Sequence, residues 1–577
     1  MAKTKMMASE ALVETMVAEG VEYCFGIVGS AFMDALDLFP AAGIRFVPVA
    51  HEQAAAHAAD GLARVTGRPQ TCIAQNGPGI ANFVSAITAA YWAHSPVVAL
   101  TPETGSAGIG TGGFQELDQM PMFERSVKYQ VRVNRADRMA ELARRCFYMA
   151  KTENGPTQLN IPRDMFYGEL EDEIYRTPNV LRGAGARSQV LEAAKLLAEA
   201  KNPVILAGGG VSIGDALSET IALAEYLTAP VVNSYLHNDS FPQSHGLGLG
   251  PIGYCGSKAA MRMLQKADVV LALGCRLGPF GTLPQYDMAY WPDNAKLIQV
   301  DADHAVLGLS RRVDVGVLAD AKEFASAVLE QVRALAPNRK PDAKRLAEVE
   351  KQKADWAKEL DGWSSSDQAS PMHPRRFLKE MAKALPAGSI VSTDIGNTSS
   401  MCNAYLTFDN IRQHISALSW GNCGFAYGAA LGAKLGRPDA PVFALQGDGA
   451  YGISGMSEVM TAVRENIPVI AVVFQNYEWG AEKKNQIDFY DDRYVGSNLR
   501  ENPSYAKVAE AMGAKGYRIE NPADVGAAIA DAVKSERPAV IEAVIQGGKD
   551  VLAEPFRRDA LKLPKRYLDK YKHTAAK

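Results

Sequence analysis

Asp448 and Asn476 each follow an apolar stretch that predicts a buried strand. Asp448 stands in a Gly-Asp-Gly turn after residues 441–446, and Asn476 follows residues 469–474 with only Gln475 between. Residues 454–466 between them predict a helix, so the order is strand, acidic turn, helix, strand. The carboxyl ends of parallel strands lie at one edge of a sheet, where ligands of open α/β sheets bind. We therefore expect the two side chains to lie close together.

This arrangement predicts a site for a metal-bridged diphosphate. A carboxylate, an amide oxygen and phosphate oxygens are the ligands that a hard, six-coordinate Mg²⁺ requires. The start of the helix that follows Asp448 favours an anion. The alternative interpretation is an ordinary turn, because glycine next to aspartate mostly means a turn.

Glu52 is the second candidate for chemistry. It follows a predicted strand, residues 44–49, and begins a helix rich in small residues. A carboxylate at this position is also explained by its favourable interaction with the helix dipole. The polar, glycine-containing segments 75–82 and 113–116 are the other parts of the N-terminal region that offer ligand-binding groups.

Together these motifs resemble those of the thiamine diphosphate enzymes. The Gly-Asp-Gly turn is followed 28 positions later by Asn476, as in the diphosphate-binding signature of that family. Gln475 stands where the family usually has another asparagine, but that residue is not the metal ligand. Glu52 with segments 75–82 and 113–116 resembles the acetolactate synthase group of the family.

The resemblance implies roles for particular residues. Mg²⁺ would be bound by Asp448, Asn476 and the backbone carbonyl of Glu478. Glu52 would hydrogen-bond to the aminopyrimidine N1′ and so assist removal of the thiazolium C2 proton, and Gln115 would contact the reacting centre. The implied cofactor-binding residues are Pro78, Asn82, Gly396, Asn397, Thr398, Gly421, Cys423, Gly449 and Ala450.

Cys423 departs from the family pattern. The family places a bulky apolar residue, often Met, at this position as a wedge that bends the cofactor, and cysteine is smaller. Gly421 can still offer its carbonyl group to the 4′-amino group. A packing role for Cys423 is favoured over a reactive-thiol role.

The length of 577 residues is too great for one core and predicts about three domains. We expect an α/β fold of three doubly wound parallel-sheet domains. The predicted division is a pyrimidine-binding domain (1–185), a central domain (190–340), a solvated linker helix (341–366) and a diphosphate-binding domain with a basic tail (367–577). The resemblance implies that the outer two domains meet across a subunit boundary, in a homodimer or homotetramer.

The central domain carries Gly208-Gly209-Gly210 after the apolar run 203–207. These glycines lack the full dinucleotide fingerprint. In the superfamily this domain holds FAD or ADP in some members and is often empty, and we favour an empty domain.

Composition restricts the function only broadly. The formal net charge is −4, which argues against a general nucleic-acid-binding protein. No apolar run reaches membrane-spanning length, and the seven cysteines include no Cys-x-x-Cys pair, which favours a reducing compartment and no zinc site. We therefore expect a cytoplasmic protein.

Three further segments, 474–486, 276–286 and the basic tail 555–560, resemble the sulfoacetaldehyde acetyltransferases more closely than the acetolactate synthases. The implied reaction converts sulfoacetaldehyde and phosphate to acetyl phosphate and sulfite. Both substrates are anions, so a cationic pocket is required. The candidate substrate contacts are Arg276, Lys483, Lys484, Asn485 and the tail arginines Arg557 and Arg558.

Two alternatives remain open. Lys483 and Lys484 could belong to a solvated charged turn. The chain could instead be an acetolactate-type decarboxylase or carboligase acting on a 2-oxo acid. A non-catalytic relative would lack Glu52 or the metal pair, and this chain has both.

Overall fold

Three parallel six-stranded sheets dominate the computed structural model, which describes residues 3–554, 561 and 565–575. Each sheet is built from one continuous stretch of chain, with helices on its faces. The predicted fold class is therefore confirmed. The basic tail 555–560, with Arg557 and Arg558, lies outside the described residues.

The N-terminal domain alternates short strands and helices. Its strands are β1 (Thr4–Met7), β2 (Tyr23–Gly26), β3 (Arg45–Pro48), β4 (Gln70–Ile73), β5 (Val97–Glu103), β6 (Tyr129–Arg132), β7 (Thr157–Pro162) and β8 (Glu169–Asp172). Its helices are α1 (Ala8–Ala18), α2 (Met33–Leu36), α3 (Glu52–Thr66), α4 (Pro78–Ala81), α5 (Val84–Trp92), α6 (Met120–Phe123) and α7 (Met139–Glu153).

The central domain follows. Its strands are β9 (Pro203–Ala207), β10 (Val231–Asn233), β11 (Gly248–Pro251), β12 (Val269–Leu273), β13 (Lys296–Asp301) and β14 (Val315–Leu318). Its helices are α8 (Arg187–Glu199), α9 (Gly209–Ile213), α10 (Leu217–Leu227), α11 (Lys258–Gln265), α12 (Ala321–Leu335) and α13 (Ala343–Trp363).

The C-terminal domain contains the acidic turn. Its strands are β15 (Ile390–Thr393), β16 (His414–Ser416), β17 (Val442–Gly447), β18 (Val469–Gln475), β19 (Lys515–Ile519) and β20 (Ala539–Val544). Its helices are α14 (Pro374–Ala384), α15 (Asn397–Tyr405), α16 (Ala426–Gly436), α17 (Asp448–Ala450), α18 (Met456–Glu465), α19 (Gly480–Phe489), α20 (Tyr505–Ala511), α21 (Val525–Lys534) and α22 (Asp569–Lys572).

The two outer sheets share one topology. Their strand orders are β3-β2-β4-β5-β7-β6 and β16-β15-β17-β18-β20-β19, which follow the same pattern when the strands of each sheet are counted from its first. The central sheet has the order β11-β10-β9-β12-β13-β14, the arrangement of dinucleotide-binding folds.

β4 ends at Ile73, so Gln75 lies in the loop that follows, where its side chain forms hydrogen bonds. One local expectation needs correction. The helix α13 exists, but it is not merely a solvated linker. Val349 and Trp356 are buried in the central domain. High charge content concealed this apolar face, whose residues are seven positions apart. Within the described residues, no helix is long and apolar enough to cross a membrane.

The outer domains are joined by a close crossing of α3 and α16. A Cβ atom at Gly432 of α16 would overlap the carbonyl oxygen of Ala58, and one at Gly61 of α3 would overlap that of Ala429. Only glycine permits such an approach between backbones. The buried alanines of both helices belong to one continuous apolar cluster that spans the two domains. The position of α3, and therefore of Glu52 at its start, is set by this crossing.

We predict that Gly432→Ala destabilises the protein by about 1 to 3 kcal/mol, because the added methyl group must displace the Ala58 backbone. Gly526→Ala is the matched control, since Gly526 is also helical but has open space around its Cβ position. The control should be neutral or slightly stabilising. Chemical denaturation measures both. Equal stability of Gly432→Ala and the wild type would contradict a tight crossing.

Candidate active site

The Asp448 carboxylate lies at the carboxyl end of β17 and is held by two backbone N–H groups. Its Oδ1 accepts from Gly449 at 2.9 Å, and its Oδ2 accepts from Tyr477 at 2.7 Å. Tyr477 has a φ of 57°, in the left-handed region, which turns its N–H back toward the acidic turn. β17 and β18 are neighbours and end together, as the sequence predicts.

Burial makes this carboxylate a strong candidate for cation binding. Asp448 is 1% exposed, and burial raises its pKa to about 7 even though backbone N–H groups stabilise the charged form. Its hydrogen-bond donors among the described residues are backbone groups rather than cationic side chains. Asn476 Nδ2 donates a hydrogen bond to Glu478 Oε1 at 3.4 Å. This bond does not involve the amide oxygen of Asn476, which is the atom that would bind a metal. The donor set suits a hard divalent cation.

A cavity of about 380 Å³ opens beside Asp448. The N-terminus of α15 faces it, and Ser399 in the first turn has a buried Oγ with no partner among the described residues. An unpartnered hydroxyl and free helix N–H groups suit the oxygens of a diphosphate. The predicted residues that line this cavity are Gly396, Asn397, Thr398, Gly421, Cys423, Asp448, Gly449, Ala450, Asn476 and Glu478.

Two of these residues have structural tasks that the sequence did not reveal. The side chain of Asn397 accepts from the Ala553 N–H at 2.9 Å and donates to the Ala553 carbonyl at 3.1 Å, so it anchors the segment after β20. Gly449 lies against the Trp479 ring, where any Cβ would come within 2.7 Å of a ring carbon. Packing against Trp479 therefore requires glycine at this position of the acidic turn.

Cys423 lies beside the buried carboxylate of Asp394. Burial raises the pKa of the Cys423 thiol to about 12, so it is neutral near pH 7, which supports packing over nucleophilic reactivity. Asp394 accepts from the backbone N–H groups of Gly424 at 3.0 Å and Ala426 at 2.9 Å. It therefore fixes the segment that follows Cys423. Asp394 comes directly after β15, so the end-of-strand pattern that identified Asp448 could also have identified it.

A second cluster forms around Glu52 in the N-terminal domain. Glu52 Oε2 accepts from Asn82 Nδ2 at 2.9 Å. Its Oε1 lies so close to Gly79 that a Cβ there would be 3.3 Å away. Gly79 belongs to the short helix that Pro78 begins. The structure thus brings Glu52 and Asn82 together.

Gln115 lies in a loop adjoining this helix. Its Oε1 accepts from Gln75 Nε2 at 2.8 Å and its backbone carbonyl accepts from Asn76 Nδ2 at 3.0 Å. Its φ of 57° is in the left-handed region. The next residue, Glu116, accepts from the N–H groups of Gly112 at 2.7 Å and Gly113 at 2.9 Å. These contacts give an otherwise glycine-rich loop a defined shape.

The two clusters are separate within one chain. The described residues that line the cavity are Phe280 and residues between 395 and 482, all from the central and C-terminal domains. Glu52, Asn82 and Gln115 are not among them. Within a single chain these two clusters, termed half-sites, therefore do not share this cavity.

The predicted substrate contacts lie around the cavity without lining it. Lys483 forms an ion pair with Glu478, and Lys484 forms one with Asp488. Asn485 Nδ2 donates to Glu482 at 3.1 Å, while its buried Oδ1 has no partner among the described residues.

Arg276 lies in another, larger cavity of about 540 Å³ in the central domain. Its Nη2 donates to Ser419 Oγ at 2.7 Å, and Ser419 lines both cavities. Gly209 and Gly210 also line the central cavity, at the point where the strand order of the central sheet reverses. Arg276 therefore contacts a residue of the cavity beside Asp448 without lining that cavity itself.

Comparison with known proteins agrees with this architecture. The chain matches the thiamine pyrophosphate enzyme N-terminal TPP binding domain over residues 6–122, the central domain over 190–328 and the C-terminal TPP binding domain over 394–543. The chain belongs to the thiamine pyrophosphate enzyme family. A decarboxylase of this family from Rhodococcus jostii, a thiamine diphosphate-dependent 4-hydroxybenzoylformate decarboxylase, has the same fold, with a TM-score of 0.80 at 22% identity over 94% of this chain and 100% of that one.

Curated relatives within the family are more similar in sequence. The chain is 52% identical to a sulfoacetaldehyde acetyltransferase of Castellaniella defragrans, over 98% of this chain and 97% of the relative. It is 44% identical to a probable sulfoacetaldehyde acetyltransferase of Rhizobium meliloti, over 97% of each. A probable acetolactate synthase large subunit of Methanocaldococcus jannaschii is 32% identical, over 94% of this chain and 92% of the relative.

We predict that Asp448→Ala weakens Mg²⁺-dependent binding of thiamine diphosphate at least about tenfold, because the variant removes the charged ligand from the cavity. Isothermal titration calorimetry measures the affinity. Asp439→Ala, at an exposed position of the same domain, is the control and should bind as the wild type does. Undiminished cofactor affinity in Asp448→Ala would contradict the assignment of the metal site.

Proposed function

We propose that this chain is a thiamine diphosphate-dependent acyltransferase that converts sulfoacetaldehyde and phosphate to acetyl phosphate and sulfite. The observation that carries the proposal is the 52% identity, over 98% of the chain, to a relative named sulfoacetaldehyde acetyltransferase. The buried acidic turn and the cavity beside it supply a matching cofactor site. When bound, thiamine diphosphate supplies an electron sink that allows the carbon–sulfur bond to break.

We propose that Asp448, Asn476 and the backbone carbonyl of Glu478 would hold Mg²⁺, which would supply positive charge to neutralise the diphosphate. A divalent cation would offset the cost of keeping the Asp448 carboxylate charged at a buried position. The N-terminal N–H groups of α15 and the Ser399 hydroxyl would donate to diphosphate oxygens. Gly421 and Cys423, which also line the cavity, would limit the space for the rest of the cofactor.

We propose that Glu52 holds a proton at the aminopyrimidine N1′ and thereby supports removal of the C2 proton. Positioned proton transfer of this kind contributes about 10²-fold to 10⁴-fold in rate. Asn82 donates to one oxygen of Glu52, which orients the carboxyl group. Gln115, held by Gln75, would face the reacting centre.

We propose that a second copy of the chain brings the two half-sites together, in a homodimer or homotetramer with active sites between subunits. Large apolar side chains are exposed beside both half-sites. Phe114 is 86% exposed next to Gln115, and Trp420 and Ile453 are 45% and 53% exposed near the cavity. Such apolar surface is typical of protein–protein contact.

We propose that Arg276, Lys483, Lys484 and Asn485 contribute to binding of the anionic substrates. Each lysine is paired with a carboxylate, but an ammonium group has three donors and can bind an anion with those that remain. The Oδ1 of Asn485, which has no partner in the part of the chain that the structure describes, can accept from a protonated oxygen of phosphate or from water.

Product analysis tests the reaction. We predict that the enzyme, supplied with sulfoacetaldehyde and phosphate, forms sulfite and acetyl phosphate in equal amounts, because one substrate molecule yields one of each. Omitting phosphate should abolish acetyl phosphate. Release of CO₂ from pyruvate, with no sulfite from sulfoacetaldehyde, would show an acetolactate-type enzyme instead.

A second prediction concerns the lysines. Changing Lys483 and Lys484 together to Ala should raise the KM for sulfoacetaldehyde or phosphate at least about tenfold, since a charge-assisted hydrogen bond is worth about 1.5 to 3 kcal/mol. Exchange of the C2 proton should stay near the wild-type rate. Changing Lys507 and Lys534 together to Ala, both at exposed positions of the same domain, is the charge-matched control. Wild-type KM values in the double variant would restrict the two lysines to their ion pairs.

A further inference from the structure

The side chain of Glu458, in the diphosphate-binding domain, contacts the chain segment just before Glu52. It lies on α18 and is completely buried. Its Oε2 accepts from the backbone N–H of Ala50 at 3.2 Å, and its Oε1 accepts from that of His51 at 3.0 Å. His51 is the N-cap of α3, and Glu52 is the first residue of that helix. One side chain thus holds the two peptide groups that lead into the candidate catalytic carboxylate.

The contact is part of a longer strip along α18. Thr461 Oγ1 donates to Glu458 Oε2 at 2.7 Å. Toward the end of the helix, Arg464 donates to the backbone carbonyl of Pro48. Arg45 donates to the backbone carbonyl of Glu465 at 2.7 Å. The C-terminal domain therefore binds the stretch from β3 to the start of α3 along its length.

The chemistry of Glu458 suits a fixing role. A carboxylate has two acceptor oxygens and can receive both peptide N–H groups at once, whereas a neutral amide has one acceptor oxygen and its nitrogen cannot accept. Burial raises the pKa of Glu458, and the hydrogen bonds to its charged form oppose this effect. The protein retains a costly buried acid where a small displacement of the backbone would move Glu52 relative to Asn82.

We propose that Glu458 is a positioning residue, which sets the place of Glu52 through the backbone of Ala50 and His51. The inference rests on the proposed function, in which Glu52 supports removal of the C2 proton. Glu458 also lies ten residues after Asp448, connected to it by α17 and the π-helical turn Tyr451–Gly455. The segment from Asp448 to Glu458 therefore serves both half-sites of one chain. It carries the proposed metal ligand of one, and it contacts the backbone next to Glu52 in the other.

Hydrogen–deuterium exchange in the cofactor-free protein tests the contact without any reaction. In Glu458→Gln, the peptide containing Ala50 and His51 should exchange at least about tenfold faster than in the wild type, because one N–H loses its acceptor. Thr461→Val is the control, since it removes a hydrogen bond to Glu458 but leaves both peptide contacts. Glu458→Asp, which keeps the charge but shortens the side chain, is the second variant if Glu458→Gln does not fold, and we expect faster exchange there too.

C2 proton exchange in the enzyme loaded with thiamine diphosphate and Mg²⁺ tests the consequence. Glu458→Gln should slow this exchange at least about tenfold, since misplacing a catalytic group by about 1 Å can cost 10²-fold, while cofactor affinity stays within about twofold of the wild type. In a Glu52→Gln background, Glu458→Gln should cause no further loss, because it acts through Glu52.

The positioning role would be overturned if Glu458→Gln slowed C2 proton exchange equally in the wild-type and Glu52→Gln backgrounds. It would also be overturned if Glu458→Gln changed neither amide exchange nor C2 proton exchange. Neither measurement uses sulfoacetaldehyde or phosphate, so a wrong substrate assignment would leave both results intact. Wild-type C2 exchange in Glu52→Gln alone would overturn the role of Glu52, and with it this inference.

Discussion

The close crossing of α3 and α16 is the interaction on which the arrangement of both half-sites depends. At Gly61 and Gly432 the backbone of one helix lies directly on the backbone of the other, so no flexible side chain can absorb a shift. The same helices contribute to one apolar cluster that spans the outer domains. Because α3 begins with Glu52, this packing fixes the position of Glu52 relative to the diphosphate-binding domain. The carboxylate of Glu458 adds a polar contact at the start of the same helix.

The second determinant is electrostatic. Asp448 and Asp394 are both buried at the carboxyl ends of parallel strands, and burial raises the pKa of each. The two carboxylates differ in the groups that surround them. Asp394 accepts hydrogen bonds from Gly424, Ala426 and Gln446 and so stabilises a loop. Asp448 lines the cavity, where a divalent cation and a diphosphate would complete its surroundings.

Much of this molecule follows from sequence patterns because strands of parallel sheets are continuous apolar runs. β17 and β18 were predicted in this way, and the acidic turn and Asn476 come at their ends. Contacts between residues far apart in sequence were not predictable. The role of Glu458 depends on two peptide groups more than 400 positions away, and neither residue type nor spacing indicates them. The ion pairs of Lys483 and Lys484 join residues only five and four positions apart, and they were missed because the segment was interpreted as a charged turn or an anion-binding element and not as the helix α19. The buried face of α13 was hidden by the many charged residues around Val349 and Trp356.

The central claim is that each active site combines Glu52 of one chain with Asp448 of another. Co-expression of differently tagged Glu52→Gln and Asp448→Ala chains, followed by isolation of the mixed assemblies, tests it most directly. In a hybrid pair, one of the two shared sites receives an intact Glu52 and an intact Asp448, so activity should return to roughly half that of the wild type, although each variant alone is inactive. If both residues of a site came from the same chain, every site in the hybrid would carry one substitution. Hybrid assemblies as inactive as the parent variants would contradict the account.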